Sequence, residues 1–164
     1  LPWLFLGLIG GLGSVFILQD FEDVMNSPDL RSLFFYTPLI AAMAGNVGVQ
    51  SSAIVVQALA NSTLQKNIWQ RLARELGVGL FNGLICSLVI VGYSWAIGQG
   101  LLFATAVGSS LLAVVLFASL FGTAIPWILN KYNIDPALAT GPFITTTNDV
   151  LGLSIYFAIA NALL

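Results

Sequence analysis

A chain of 164 residues that is 58% hydrophobic, 7% charged and without histidine cannot cover its own surface with polar groups, since a soluble domain carries roughly 25% charge. Lipid must solvate most of it. Seven acids against five bases are too small an imbalance to attract nucleic acid or an acidic substrate. The single cysteine, Cys86, excludes an internal disulfide and sits in an apolar run as inert packing.

A helix needs about 20 apolar residues to cross the hydrocarbon core. In chain order five stretches qualify: Leu1 to Leu18, Phe34 to Leu59, Leu76 to Ile97, Leu101 to Leu129, and Pro136 to Leu164. The first lacks the basic n-region and cleavage site of a signal peptide. With no methionine before Leu1, it reads as the start of a membrane domain within a longer protein. Polar loops are expected from Gln19 to Ser32 and from Ala60 to Glu75, a turn at Gly98-Gln99-Gly100, and a short link from Asn130 to Asp135. No linker divides the chain, so residues 1–164 are expected to form one all-α membrane domain.

The charges sort by side. Asp20, Glu22, Asp23 and Asp29, with Arg31, follow the first span, and these acids suit either a solvated loop or a cation-attracting mouth. Lys66, Arg71 and Arg74 follow the second span and Lys131 the fourth. Five crossings place these bases on one face, which the positive-inside rule makes cytoplasmic. The amino terminus is then cytoplasmic and the carboxyl terminus outside. Trp3, Trp69, Trp95 and Trp127 fall near span ends, as an aromatic belt requires.

The second span contains PLIAAMAGNVGVQSS, residues 38–52. At helical spacing, Ala41, Ala44, Gly45, Gly48 and Ser52 gather on one face, and Asn46, Gln50, Ala53 and Gln57 on the opposite one. The small face admits close approach of another helix, while the amide face needs polar partners. Pro38 is expected to leave the carbonyl of Phe34 without its helical donor.

In the last span, Asp135-Pro136 predicts an N-cap and a first helical residue, followed by GPFITTTNDVLG, residues 141–152. Asp149 is the only acid inside any span and is expected roughly 20 Å from either end of that helix. An ionised carboxylate at that depth costs about 2.5–3.5 kcal/mol or more, and no lysine or arginine lies within a span to neutralise it. Asp149 is therefore protonated, paired with a partner outside the chain, or facing water and a cation; the last accounts best for Pro142, Thr145, Thr146, Gly152 and Tyr156 on the same stripe. Pro38 and Gly48 are spaced like Pro142 and Gly152, with an isoleucine two after each proline, as in an inverted repeat. Carboxylate, amide, hydroxyl and carbonyl are hard ligands that suit Mg²⁺, Ca²⁺, Mn²⁺ or Na⁺. Two chains on a twofold axis would double the charge of one Asp at a single point.

The segments PLIAAMAGNVGVQSSAIVVQALA (38–60) and DPALATGPFITTTNDVLGLSIYF (135–157), with RELGVGLFNG (74–83), resemble the MgtE family of magnesium transporters, related to the solute-carrier magnesium transporters of animals. The resemblance implies a homodimer of five-helix domains in a bacterial inner membrane, with the pore between subunits and lined by the second and fifth spans. It further implies that Asp149 of both subunits holds hydrated Mg²⁺, the transported ion, and that Gly45, Asn46, Gly48, Gln50, Thr145, Thr146 and Asn148 line the pore or its filter. A cytoplasmic Mg²⁺ sensor upstream of Leu1 is implied as well. Asp135 and Glu75 are candidate peripheral metal ligands, against simpler roles as a helix cap and as an ion-pair partner of Arg71 or Arg74. A carrier exchanging a divalent ion for Na⁺ or H⁺ is the alternative function. An intramembrane aspartyl protease is excluded, since Asp135 and Asp149 lie about 21 Å apart along one helix and cannot share a proton. A structural scaffold leaves the buried acid unexplained.

Overall fold

The computed structural model describes residues 1–22, 28–62, 68–139 and 141–164. Asp23 and Lys66, and the side chains of Trp3 and Asp29, lie outside the described residues. The elements are α1 (Pro2–Asp20), α2 (Pro28–Phe34), α3 (Thr37–Ala60), α4 (Ile68–Ala96), α5 (Leu101–Lys131), a 3-10 turn (Pro136–Ala139) and α6 (Pro142–Leu163). The described residues contain no strand. Among the described residues four helices, α3 to α6, are long and apolar enough to cross a membrane; α1, with 19 residues, is a shorter apolar helix.

Both prolines singled out in the sequence open helices instead of bending them. Pro38 lies in the first turn of α3, where a missing N–H costs nothing. The helix begins at Thr37, not Phe34, and the Thr37 hydroxyl donates to the Phe34 carbonyl at 2.8 Å. The expected free carbonyl is thereby satisfied. Pro142 opens α6 after Gly141, so the last helix starts six residues later than Pro136. Asp135 does cap, but it caps the 3-10 turn: its Oδ1 accepts the Ala137 N–H at 2.9 Å. Helix α4 starts earlier than expected, within the anticipated polar loop, and Arg71 and Glu75 face each other across one of its turns at 3.8 Å. Gly98, at φ +86°, ends α4 as the sequence suggests.

Helix α5 forms the centre. Val107, Leu111, Val114 and Ala118 are buried, with α4 packed on one side and α3 and α6 on the other. The outer faces of α1 and α4 expose Phe5, Phe16, Phe81, Leu88 and Val89, which is the expected solvation by acyl chains. Trp69 and Trp95 are exposed near the two ends of α4, about 39 Å apart along the helix, close to the ~40–45 Å bilayer thickness that includes headgroups. Most hydroxyls bond their own helix, as Ser110 does to the Ala106 carbonyl at 2.7 Å. A few pin one helix to another: Tyr36 to Ser94 at 2.8 Å, Ser87 to the Gly108 carbonyl at 2.7 Å, and Tyr156 to the Leu33 carbonyl at 2.9 Å.

Glycines set the relative directions around the site. Gly45 lies beside Thr145 and Asp149, Gly48 beside Ile144 and Asn148, and Gly152 beside Ala44, so α3 and α6 run antiparallel. Gly10 meets Thr146 and Gly13 meets Val150, so α1 runs parallel to α6. Arg71, Arg74 and Lys131 consequently sit at one end of the bundle, and Asp20 and Glu22 at the other.

Candidate functional site

Helix α3 carries the two faces its sequence draws. Ala44, Gly45, Gly48 and Ser52 are buried, and Asn46, Gln50, Ala53 and Gln57 are exposed. The exposed amides do not stand on a plain lipid-facing surface. Together with α6 they border an open concavity of about 370 Å³ lined by Ala41, Ala42, Gly45, Asn46, Val49, Gln50, Thr145 and Asp149. No leucine, isoleucine or phenylalanine lines it.

Asp149 is half-buried on this wall, and among the described residues it has no hydrogen-bond donor and no basic partner. Gly45 leaves space beside the carboxylate: a Cβ there would stand in van der Waals contact with Asp149 Oδ1, at 3.4 Å, and 3.3 Å from Thr145 Cγ2. The expected depth needs correction. Asp149 is the eighth residue of α6, about 10 Å from the start of that helix and about 21 Å from its end. The 3-10 turn breaks the continuous helix on which the original depth rested.

Other residues of the sequence stripe are distributed elsewhere. Thr145 lines the concavity, but Thr146 turns to the far side of α6, where it borders a separate apolar hollow with Leu6, Ile9 and Gly10 of α1. Its hydroxyl donates to the Pro142 carbonyl at 2.5 Å. Gly152 and Tyr156 are buried. Asn148 is fully buried beside Gly48, and among the described residues neither its Oδ1 nor its Nδ2 has a partner. An unpaired buried polar group costs about 1–3 kcal/mol.

Asp135 is exposed and occupied in its cap. Glu75 accepts the Ser51 hydroxyl at 2.7 Å and faces Arg71 at 3.8 Å. It borders a smaller cavity of about 80 Å³ with Gln50, Ser51, Asn82 and Ser119. Gln50 therefore touches both spaces. Sequence reasoning missed Asn82, although it is the one amide inside the third span. It also missed Ala42, which has no polar group to signal its place.

The described residues bring no three of His, Cys, Asp or Glu together. One chain thus offers a lone carboxylate with amide and hydroxyl neighbours, a hard-oxygen set rather than a closed metal cage.

The fold defines a polytopic all-α membrane protein whose α3–α6 seam opens a polar concavity around one unneutralised acid. Residues 37–159 match the MgtE family, described as a divalent cation transporter, and the chain belongs to that family, which is one of transporters and not of enzymes. It is 41% identical over 99% of its length to the magnesium transporter MgtE of Bacillus subtilis. Against the proteins of the same name from Thermus thermophilus and Enterococcus faecalis the identities are 39% over 99% and 32% over 98% of the chain. The chain spans 36% of the length of the first two relatives and 35% of the third.

Proposed function

We propose that this chain is the membrane pore of a magnesium transporter, in which two copies meet across the α3–α6 concavity and present their Asp149 side chains to one hydrated Mg²⁺. The observation that carries the reading is an unpartnered Asp149 on the wall of an open space floored by small residues. A carboxylate within a membrane helix is stable where a cation or water compensates it. Mg²⁺ gives up its waters reluctantly, and six waters fill about 180 Å³ at liquid density. The concavity of about 370 Å³ accommodates that volume. The names of the relatives supply the ion.

In this reading α1 is the fifth crossing. Its 19 residues span about 28 Å, close to the ~30 Å hydrocarbon core. The end with Arg71, Arg74 and Lys131 faces the cytoplasm of a bacterium, where a Mg²⁺ sensor joined ahead of α1 would also lie. Within the pore, Asn46, Gln50 and Thr145 bond the waters of the ion while Asp149 supplies the charge.

Uptake of Mg²⁺ into liposomes tests the proposal. Asp149→Ala and Asp149→Asn are both expected to lower uptake more than a hundredfold while the dimer persists, because the charge does the work. Wild-type uptake by the Asn variant overturns the role of Asp149, and a monomer in the membrane overturns the shared site. Unitary currents are expected. Strict coupling to Na⁺ or H⁺ counterflow would instead establish the exchanger.

A further inference from the structure

The half of α6 that bears Asp149 is held differently from the half beyond Gly152. Among the described residues, no hydrogen bond ties residues 142–151 to another helix; Thr145 and Thr146 donate to the carbonyls of Gly141 and Pro142, within their own chain segment. Beyond Gly152 the anchoring is firm. Tyr156 donates to the Leu33 carbonyl at 2.9 Å, and the Phe157 ring lies 4.8 Å from that of Phe21 and 5.0 Å from that of Phe34.

The half without such a bond contains an unsettled residue. Asn148 is fully buried, with both amide atoms unpartnered among the described residues. A Cβ built on Gly48 would overlap its Nδ2, so no water fits between the amide and α3. At Gly48 the backbone of α5 also approaches closely, through Gly122. Native proteins rarely leave a buried amide wholly unsatisfied, and a water rescues one only where there is room. Satisfaction lies nearby. Successive residues point about 100° apart around a helix, and the next residue, Asp149, already faces the open concavity.

We propose that the Asp149-bearing half of α6 turns about its axis, by roughly 50°, half of one residue step, into a second setting in which Asn148 and Asp149 share the concavity. There the Asn148 amide bonds the waters of the passing cation. At this contact α6 meets α3 on glycine: the Asn148 amide sits in the notch left by Gly48, and Gly152 opposes Ala44, where an added Cβ would approach to 3.0 Å, so the turn lifts the amide out of its notch. The assignment of the cation rests on the transport reading, but the turn itself does not.

Cysteine accessibility separates the two. Cys86 is the only cysteine, so Cys86→Ala gives a clean background for Asn148→Cys, Thr145→Cys and Ile144→Cys in liposomes. A membrane-impermeant methanethiosulfonate is expected to modify position 148 within about tenfold of the rate at 145, and at least a hundredfold faster than at buried 144. A rate at 148 equal to that at 144, with 145 reactive, overturns the turn. Asn148→Leu provides the second arm, because it fills the same space without orphaned polar atoms. It is expected to raise the melting temperature and to lower Mg²⁺ uptake more than tenfold. A fall in melting temperature, or unchanged uptake, overturns the proposal. Should Asp149→Asn transport normally while position 148 still reacts, the cation assignment falls and the turn stands.

Discussion

Two seams of this bundle are built on glycine, and they use it to opposite ends. At the α4–α5 seam each glycine receives an apolar or hydroxyl-bearing neighbour. Leu112 fills the space beside Gly83, Ser119 that beside Gly79, and Val91 that beside Gly108, while the Ser87 hydroxyl closes onto the Gly108 carbonyl. At the α3–α6 seam the apolar contacts of Ile144 on Gly48 and Ala44 on Gly152 alternate with Thr145 and with a carboxylate and an amide unpartnered among the described residues, and the seam gapes into a concavity. Small residues in a membrane let backbones approach; what they meet decides whether the result is a weld or a path.

Substitutions should separate the seams. The largest loss of stability is expected from Gly83→Leu, whose Cβ would start 2.7 Å from Leu112 Cδ1. Overpacking of this kind costs about 1–3 kcal/mol, and thermal melting in detergent should fall together with uptake. Gly48→Leu should cost a similar amount by displacing Asn148, so a stable dimer with unchanged flux would refute the assignment of that face. Ser87→Ala removes one buried bond worth about 1 kcal/mol and should lower melting while leaving uptake intact; a loss of transport without a loss of stability would bring the welded seam into the path. Smallest in stability is Gly45→Ala, within about 1 kcal/mol of wild type, since at this buried position the gain from replacing a helical glycine offsets the crowding of its neighbours. Its methyl would crowd Thr145 Cγ2 at 3.3 Å and touch Asp149 Oδ1 at 3.4 Å, and uptake should still fall severalfold. If melting moved and uptake did not, the two seams would be alike after all.

Much of this contrast was legible in the chain. The faces of α3 follow from spacing alone, because Gly48 and Asn46 are two residues apart and so point to opposite sides. The intramembrane acid announced itself by being the sole carboxylate in a span. The family resemblance placed the whole set in a cation transporter, and the family match agrees. What the chain hid was angular and local. Thr145, Thr146, Asn148 and Asp149 lie within about one turn, and a shift of one residue rotates a side chain by about 100°. Without the positions of α1, α3 and α5, no periodicity decides which of them faces the opening. The prolines misled for a related reason: a proline in an apolar run reads the same whether it bends a helix or begins one, and only the Thr37 hydroxyl on Phe34 and the 3-10 turn before Pro142 tell the cases apart.

Helix α1 rests chiefly on α6, through Gly10 against Thr146 and Gly13 against Val150. These contacts fall on either side of the acid, in the half of α6 that no hydrogen bond ties to another helix among the described residues. A displacement of α1 would thus reach the Asp149 wall directly, through two glycine contacts and with no helix between.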